Sequence, residues 1–255
     1  MSYTLNGEQY PSVTNVLSQL DKSSALIPWA LNCFETRLKE LLDGGMEIYQ
    51  AIIEAKKNYR DVSNTALDIG SQVHHAVEQY VKRGDDLRGS LKPEVENGFL
   101  AFLDWEEKNV SKWIESEIRT VNEIYGYAGT YDAIYENKQG VIILLDFKTS
   151  KAIYPEYWMQ VAAYKKARES LFGEYEIYFE REECIIERFD LHEINIDKCA
   201  ILRLDKETGI GEYKEREKKN IETYFRAFVS LVDFYYKHKK RRLKGNKIIK
   251  NLWSK

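Results

Sequence analysis

Apolar residues in the middle of the chain follow the period of β-strands. The run 141–145 is wholly apolar, rich in β-branched residues and preceded by Gly140, which predicts a buried strand. Tyr127 to Tyr135 predicts an earlier strand, and the polar segment 137–140 between the two predicts a hairpin connection. Further strands are predicted near 174–179, 184–191 and 198–204, and a small hairpin at 3–10.

The other apolar residues have helical spacing. Helices are predicted at 24–42, 46–59, 94–109 and 214–238, with one more opening at Gly70-Ser71. The order of elements predicts an α/β fold, in which a central mixed β-sheet is flanked by helices. A length of 255 residues with 44% hydrophobic residues suits one domain. Its expected parts are an N-terminal hairpin and helical region (1–65), a core (66–205), and a C-terminal helix with a basic tail (206–255).

Two charged residues stand where the central apolar strand ends. Asp146 and Lys148 are two residues apart, so they share one face of that strand. If the hairpin loop consists of residues 138–140, Asp132 falls opposite Asp146; a four-residue loop would set Asp132 opposite Leu145, on the other face. Two facing carboxylates are destabilising unless a cation neutralises them. Mg²⁺ and Mn²⁺ prefer carboxylate oxygen, so the first register predicts a metal site.

Further polar pairs have helical spacing. His74 and Glu78 are four residues apart on one helix face, so Glu78 is a candidate acceptor for a ring N–H of His74. Gln160 and Tyr164 are likewise one turn apart. Glu117, in Glu-Ser-Glu, is interpreted as a solvated charge; the alternative is that it assists the site, since it precedes the Asp132 strand.

Four motifs in this order resemble the RecB-like branch of the PD-(D/E)XK nuclease superfamily. They are G-S-x-x-H-x-x-x-E at 70–78, G-x-x-D at 129–132, D-x-K at 146–148 and Q-x-x-x-Y at 160–164. The segments 10–14 and 201–206 are similar, more loosely, to cluster-free exonucleases of the phage and mitochondrial genome-maintenance type. The resemblance implies a restriction-endonuclease-like core.

The resemblance also implies a role for each motif residue. The implied metal ligands are His74, Asp132, Asp146 and the backbone carbonyl of Phe147. Lys148 would position or activate the attacking water, and Gln160 and Tyr164 would orient the lysine and contact DNA. Ser71 is a further implied DNA contact.

The cysteines bear on compartment and cofactor. Cys33, Cys184 and Cys199 are odd in number and widely spaced, as expected in a reducing compartment. Some RecB-like relatives carry an iron–sulfur cluster, but four thiolates are needed for it, so none is expected here. No apolar stretch is long enough to span a membrane. The expected location is the cytoplasm of a bacterial or phage-infected cell.

Positive charge is concentrated at the C-terminal end. The chain has a net charge of −3, yet residues 237–255 contain nine Lys or Arg and no acidic residue. Lys239, Lys240, Arg241 and Arg242 are therefore candidate phosphate contacts; the alternative is a solvated helix end that the helix dipole favours. Trp158 is a candidate for stacking on single-stranded bases.

The sequence thus predicts a divalent-metal-dependent DNA nuclease. The expected activity is exonucleolytic, on single-stranded DNA or DNA with free ends, in replication, recombination or repair, with a phage setting suggested by the resemblance. Two alternatives remain: a structure-specific flap endonuclease, and a non-catalytic DNA-binding or recombination-partner protein that retains the fold. The sequence does not identify protein partners.

Overall fold

The computed structural model describes residues 2–5, 8–171, 173–180 and 184–238. The chain divides into two compact units, one formed by Met1–Gln19 and Ala76–Lys255 and the other by Leu20–His75. The helices are α1 (Val13–Leu17), α2 (Ser23–Asp43), α3 (Ile48–Ala55), α4 (Asn58–Arg83), α5 (Pro93–Asn109), α6 (Pro155–Glu169) and α7 (Lys218–His238). The strands are β1 (Ser2–Leu5), β2 (Glu8–Pro11), β3 (Val110–Asn122), β4 (Tyr127–Asn137), β5 (Ile142–Lys148), β6 (Gly173–Glu180), β7 (Cys184–Leu191), β8 (Lys198–Leu204) and β9 (Gly211–Glu217).

A five-stranded sheet of order β3-β4-β5-β8-β9 forms the centre of the larger unit. Strands β5 and β8 are parallel and the other neighbours are antiparallel, so the sheet is mixed as predicted. Strand β5 is central, which explains its apolar run: Leu144 and Leu145 are fully buried. Helices α5 and α6 both pack on this sheet. The fold is a mixed α/β fold with a helix-flanked sheet.

The turn between β4 and β5 sets the register of the site. The Asn137 N–H donates to the Val141 carbonyl at 3.0 Å, which closes a loop of residues 138–140. The Asn137 side-chain oxygen accepts from the N–H groups of Gln139 and Val141, and Gly140 has φ 78°, a conformation that favours glycine. Ala133 pairs with Leu145 and Ile134 with Leu144. The three-residue loop is confirmed.

Aromatic side chains fill the space between α5 and the sheet. Phe147 meets Phe102 edge to face at 5.7 Å between ring centroids, and Phe102 stacks on Trp113 at 5.9 Å. Trp105 of α5 meets Tyr135 of β4 at 5.4 Å. Because neighbouring strand residues point to opposite faces, the burial of Phe147 in this cluster directs Asp146 to the other face.

A second sheet has four strands in the order β2-β1-β6-β7. It joins the N-terminal hairpin to the strands predicted at 174–179 and 184–191, through antiparallel pairing of β1 with β6. These strands therefore exist as predicted, but they lie outside the central sheet. The turn residues 6 and 7 of the hairpin lie outside the described part of the chain.

Two helix predictions are wrong at their starts. The helix expected to open at Gly70-Ser71 is part of α4, which begins at Asn58; a glycine costs about 1 kcal/mol in a helix, too little to end one whose backbone bonds continue on both sides. The helix expected from 214 begins at Lys218, because 211–217 pairs with β8 as an edge strand. Among the described residues, no helix has the length and apolarity needed to cross a bilayer.

Candidate metal and catalytic site

Three acidic residues stand side by side on three adjacent strands. Continuing the β4–β5 register by one step places Asp132 opposite Asp146. In the β3–β4 register, Ser116 pairs with Ala133 and Ile118 with Tyr131, so Glu117 lies opposite Asp132. A carboxylate oxygen of Glu117 lies within 4.8 Å of one of Asp132. The larger unit thus presents a row of carboxyl groups, here called the acidic row: Glu117, Asp132 and Asp146.

Asp132 and Asp146 are held by groups of β5. The Phe147 N–H donates to Asp132 Oδ2 at 2.6 Å, which ties β4 to β5 at the site. Asp146 is 1% exposed, and its carboxylate forms an ion pair with the Lys148 ammonium group. Burial lowers the pKa of Lys148, but the charges of Asp146 and Asp132 outweigh that effect and raise it. Lys148 is therefore a cation at neutral pH in this structure.

Burial also changes the pKa values of the carboxyl groups in the acidic row. It raises the pKa of Asp132, an effect that the Lys148 charge and the Phe147 N–H oppose. Burial, followed by the charges of Asp132 and Glu78, raises the pKa of Glu117 from 4.5 to about 8. The three carboxyl groups outnumber the Lys148 ammonium group, and like charges at this spacing disfavour full ionisation. A divalent cation would relieve that repulsion.

Glu117 is not the solvated charge that the sequence favoured: it is partly buried and lies beside Asp132. It is the one non-glycine among the described residues with positive φ, 54°, in a region that costs about 1–3 kcal/mol for such residues. Glu115, two residues earlier on β3, differs in kind: the buried Arg168 donates to it through two nitrogens at 2.9 and 2.6 Å. Glu115 is thus neutralised by a structural partner, whereas Glu117 faces another carboxylate.

Helix α4 carries the predicted pair His74 and Glu78. His74 is partly buried near the end of the smaller unit, and Glu78 lies one turn later in the larger unit. Glu78 accepts a hydrogen bond from the Lys82 ammonium group at 2.7 Å. The negative charge of Glu78 contributes to the raised pKa of Glu117. Helix α4 therefore brings Glu78 near the acidic row. The implied hydrogen bond between Glu78 and His74 stays a prediction.

Gln160 and Tyr164 occupy one face of α6, as predicted. The Gln160 side-chain amide donates to the Tyr164 hydroxyl at 3.0 Å. Burial and then the charge of Asp146 raise the pKa of Tyr164 well above its ordinary value, which places this phenol near the acidic row. Gly129 makes the approach possible: a Cβ there would lie 2.5 Å from Tyr164 Cε1. The G-x-x-D and Q-x-x-x-Y motifs are therefore in direct contact.

The remaining candidates are placed differently. Trp158 is 4% exposed, and the Arg216 guanidinium lies 4.5 Å from its ring centroid, so its burial and this cover argue against stacking on DNA. Ser71 is exposed on α4. The basic cluster at 239–242 lies outside the described residues.

The donor set fits a hard divalent cation. Mg²⁺ and Mn²⁺ take oxygen ligands, and Mg²⁺ commonly uses one or two carboxylates with water in the remaining positions. The acidic row offers carboxylate oxygens from three strands whose positions are fixed by backbone pairing. The resemblance implies the backbone carbonyl of Phe147 as a further oxygen ligand. Phe147 adjoins Asp146 in β5, so this carbonyl belongs to the same part of the strand. A thiol-preferring metal would find no sulfur donor in the row.

Gly129→Ala tests the contact between the two motifs. The added methyl must displace the Tyr164 ring, and overpacking of this kind costs about 1–3 kcal/mol. In a Tyr164→Leu background the clashing ring atom is absent, so the same substitution should cost clearly less. Urea unfolding of the four proteins measures both losses; equal losses in the two backgrounds would contradict the contact.

The raised pKa of Glu117 predicts a pH-dependent stability. Between pH 4.5 and about 8 the folded state retains a proton that the unfolded state releases, so the free energy of unfolding falls as pH rises. Glu117→Gln should make this decline shallower and should be more stable than the wild type at pH 8 in EDTA. Urea unfolding from pH 5 to pH 8 measures the difference, with Glu54→Gln as an exposed control. Parallel curves for Glu117→Gln and wild type would rule out the effect.

Comparison with known proteins adds nothing to this picture: no protein-family model and no curated protein matches the chain. Function is therefore inferred from the acidic row, Lys148 and the packing of α6 against them.

Proposed function

We propose that the protein is a divalent-metal-dependent DNA nuclease of the PD-(D/E)XK type. The observation that carries the proposal is the alignment of Glu117, Asp132 and Asp146 across three adjacent strands, with Lys148 paired to Asp146. A sheet ordinarily avoids like charges in facing positions, because they destabilise it. A site that accumulates them, beside a partly buried lysine, is suited to binding a cation together with a phosphate.

The cation would be Mg²⁺ or Mn²⁺, held by Asp132 and Asp146. Glu117 is a third carboxylate within reach, and the resemblance adds His74 and the Phe147 carbonyl. Such a cation supplies an activated water, neutralises phosphate charge and stabilises the leaving oxygen. The proposed substrate and partner is therefore a nucleic acid phosphodiester, and DNA is the expected one.

Lys148 would act mainly through its charge. As the cation that pairs with Asp146, Lys148 would stabilise the charge of the phosphate electrostatically. The ion pair with Asp146 holds the ammonium at the end of β5. Gln160 and Tyr164 form a hydrogen-bonded pair beside the row. Tyr164 is as buried as Trp158, so the partly buried Gln160 is the member of the pair that we propose to contact the substrate, with Tyr164 behind it.

The proposal extends to the type of core, the mode of cleavage and the location of the protein. The five-stranded sheet with its flanking helices is compatible with a restriction-endonuclease-like core. We propose exonucleolytic action on single-stranded DNA ends during replication, recombination or repair, in the cytoplasm of a bacterial or phage-infected cell. Flap cleavage, and DNA binding without cleavage, are outcomes that digestion and binding experiments distinguish.

Asp146→Asn and Lys148→Ala should each lower DNA cleavage at least about 100-fold, because each removes charge complementary to the metal or the phosphate. Digestion of single-stranded DNA labelled at the 5′ or 3′ end, with Mg²⁺, Mn²⁺ or EDTA, measures the loss and the polarity. DNA binding should be largely retained.

The matched control is Lys151→Ala, which removes an exposed lysine three residues from Lys148 and should leave cleavage unchanged. Cleavage by Asp146→Asn at the wild-type rate would contradict the proposed nuclease site. Tight DNA binding by the wild type without cleavage under any metal condition would favour the non-catalytic alternative.

Truncation after His238 tests the basic tail while leaving α7 whole. If the tail binds phosphates, removing it should weaken affinity for single-stranded DNA and make the salt dependence shallower, by about 0.7 in slope for each phosphate that the tail neutralises. Fluorescence anisotropy across a range of NaCl concentrations measures both quantities. An unchanged slope would show that the tail does not contact the phosphates of DNA.

A further inference from the structure

The Lys148 ammonium group has a second partner besides Asp146. Its nitrogen lies 5.0 Å from the ring centroid of Tyr157, over the aromatic ring. Cations within about 6 Å of an aromatic centroid are attracted by the negative face of the ring. Tyr157 is partly buried in the first turn of α6, outside all four sequence motifs. It is therefore a contact that the motif pattern did not identify.

The ring of Tyr157 is held in place by its surroundings. Pro155 begins α6 and restricts the backbone there. The Tyr157 N–H donates to the Tyr154 carbonyl at 3.1 Å. The Tyr154 ring meets the Tyr157 ring edge to face at 5.6 Å between centroids. Helix geometry and a neighbouring ring thus give Lys148 a preorganised aromatic surface.

A bound metal changes the balance between the two partners of Lys148. The carboxylate of Asp146 is a proposed metal ligand, and its attraction for the ammonium group falls once its charge is shared with a divalent cation. The phenyl ring carries no net charge and is not a ligand for Mg²⁺, which takes oxygen donors. Since a lysine side chain is long and flexible, an anchor that survives metal binding decides where its charge lies.

We propose that Tyr157 is a positioning residue of the site: its aromatic face holds the Lys148 ammonium beside the reacting phosphate when Asp146 binds the metal. This inference rests on the proposed nuclease function. The expectation that Gln160 and Tyr164 orient the lysine stays a prediction, and Tyr157 is a third residue of α6 with a direct contact to it. The ring, and not the hydroxyl, is the part of Tyr157 that matters.

The experiment compares variants that keep or remove the ring. Tyr157→Leu removes the aromatic face and should lower the single-turnover cleavage rate between about 2-fold and 30-fold, the range that a cation–π contact spans from exposed to desolvated sites. Tyr157→Phe keeps the face and should retain the wild-type rate. DNA affinity and thermal unfolding should change little in either variant. Tyr49→Leu is the matched control, because it removes a tyrosine ring that is 75% exposed on α3, and it should leave the rate at the wild-type value.

A second measurement separates positioning from general structural damage. In a Lys148→Ala background, with enzyme in excess over labelled single-stranded DNA and saturating Mg²⁺, Tyr157→Leu should cause no further loss. A structural role would instead produce the same fold-loss in both backgrounds. If Tyr157→Leu lowers the unfolding temperature, Tyr157→Met serves as the ring-free variant.

The possible results test the positioning role of Tyr157 separately from the nuclease activity. A wild type that cleaves DNA, together with a Tyr157→Leu rate equal to wild type, overturns the positioning role and leaves the nuclease intact. Equal losses in Tyr157→Leu and Tyr157→Phe do the same, because they assign the effect to the hydroxyl. Absence of wild-type cleavage with Mg²⁺ or Mn²⁺ overturns the proposed function and the inference together.

Discussion

The register between β4 and β5 is the constraint on which the site depends. Side chains alternate between the two faces of a strand, so one additional residue in the turn would move Asp132 to the face opposite Asp146. The carboxamide of Asn137 and the left-handed backbone of Gly140 determine the turn length. A turn outside the site, built from side-chain hydrogen bonds and one glycine, thereby decides whether the acidic row exists.

The acidic row is costly for the folded state, and in the proposed function it supplies the ligands of the metal. Burial raises the pKa of Asp132, and burial together with the charges of Asp132 and Glu78 raises the pKa of Glu117. The structure offsets part of this cost with the Phe147 N–H and the Lys148 ammonium. Elsewhere on β3 the acid Glu115 is neutralised by Arg168. Functional sites commonly retain such unfavourable arrangements at the expense of stability.

Local patterns were sufficient for the central strands and insufficient for the edges. The apolar run of β5 and the polar turn before it predicted the strand, the hairpin and the position of Asp132, because each depends on neighbouring residues. The same patterns did not decide between a solvated Glu117 and one that joins the site. Its strand is polar and irregular, with register shifts between Val110 and Lys112 and between Trp113 and Glu115. Which face it occupies depends on pairing with β4, and Tyr157 likewise reaches Lys148 only through tertiary packing.

The second sheet has a consequence for how the chain folds. Strand β1 pairs with β6, so that Tyr3 is bonded across from Phe179. Contacts between such distant parts of a chain slow folding, because a long loop must close before they form. During synthesis on a ribosome, the hairpin of β1 and β2 would emerge long before β6. Until β6 is made, the edge of β1 that pairs with it would have no partner strand. Unpaired strand edges of this kind are prone to association with other chains. Completion of the N-terminal strands is therefore a late event in the biosynthesis of this protein.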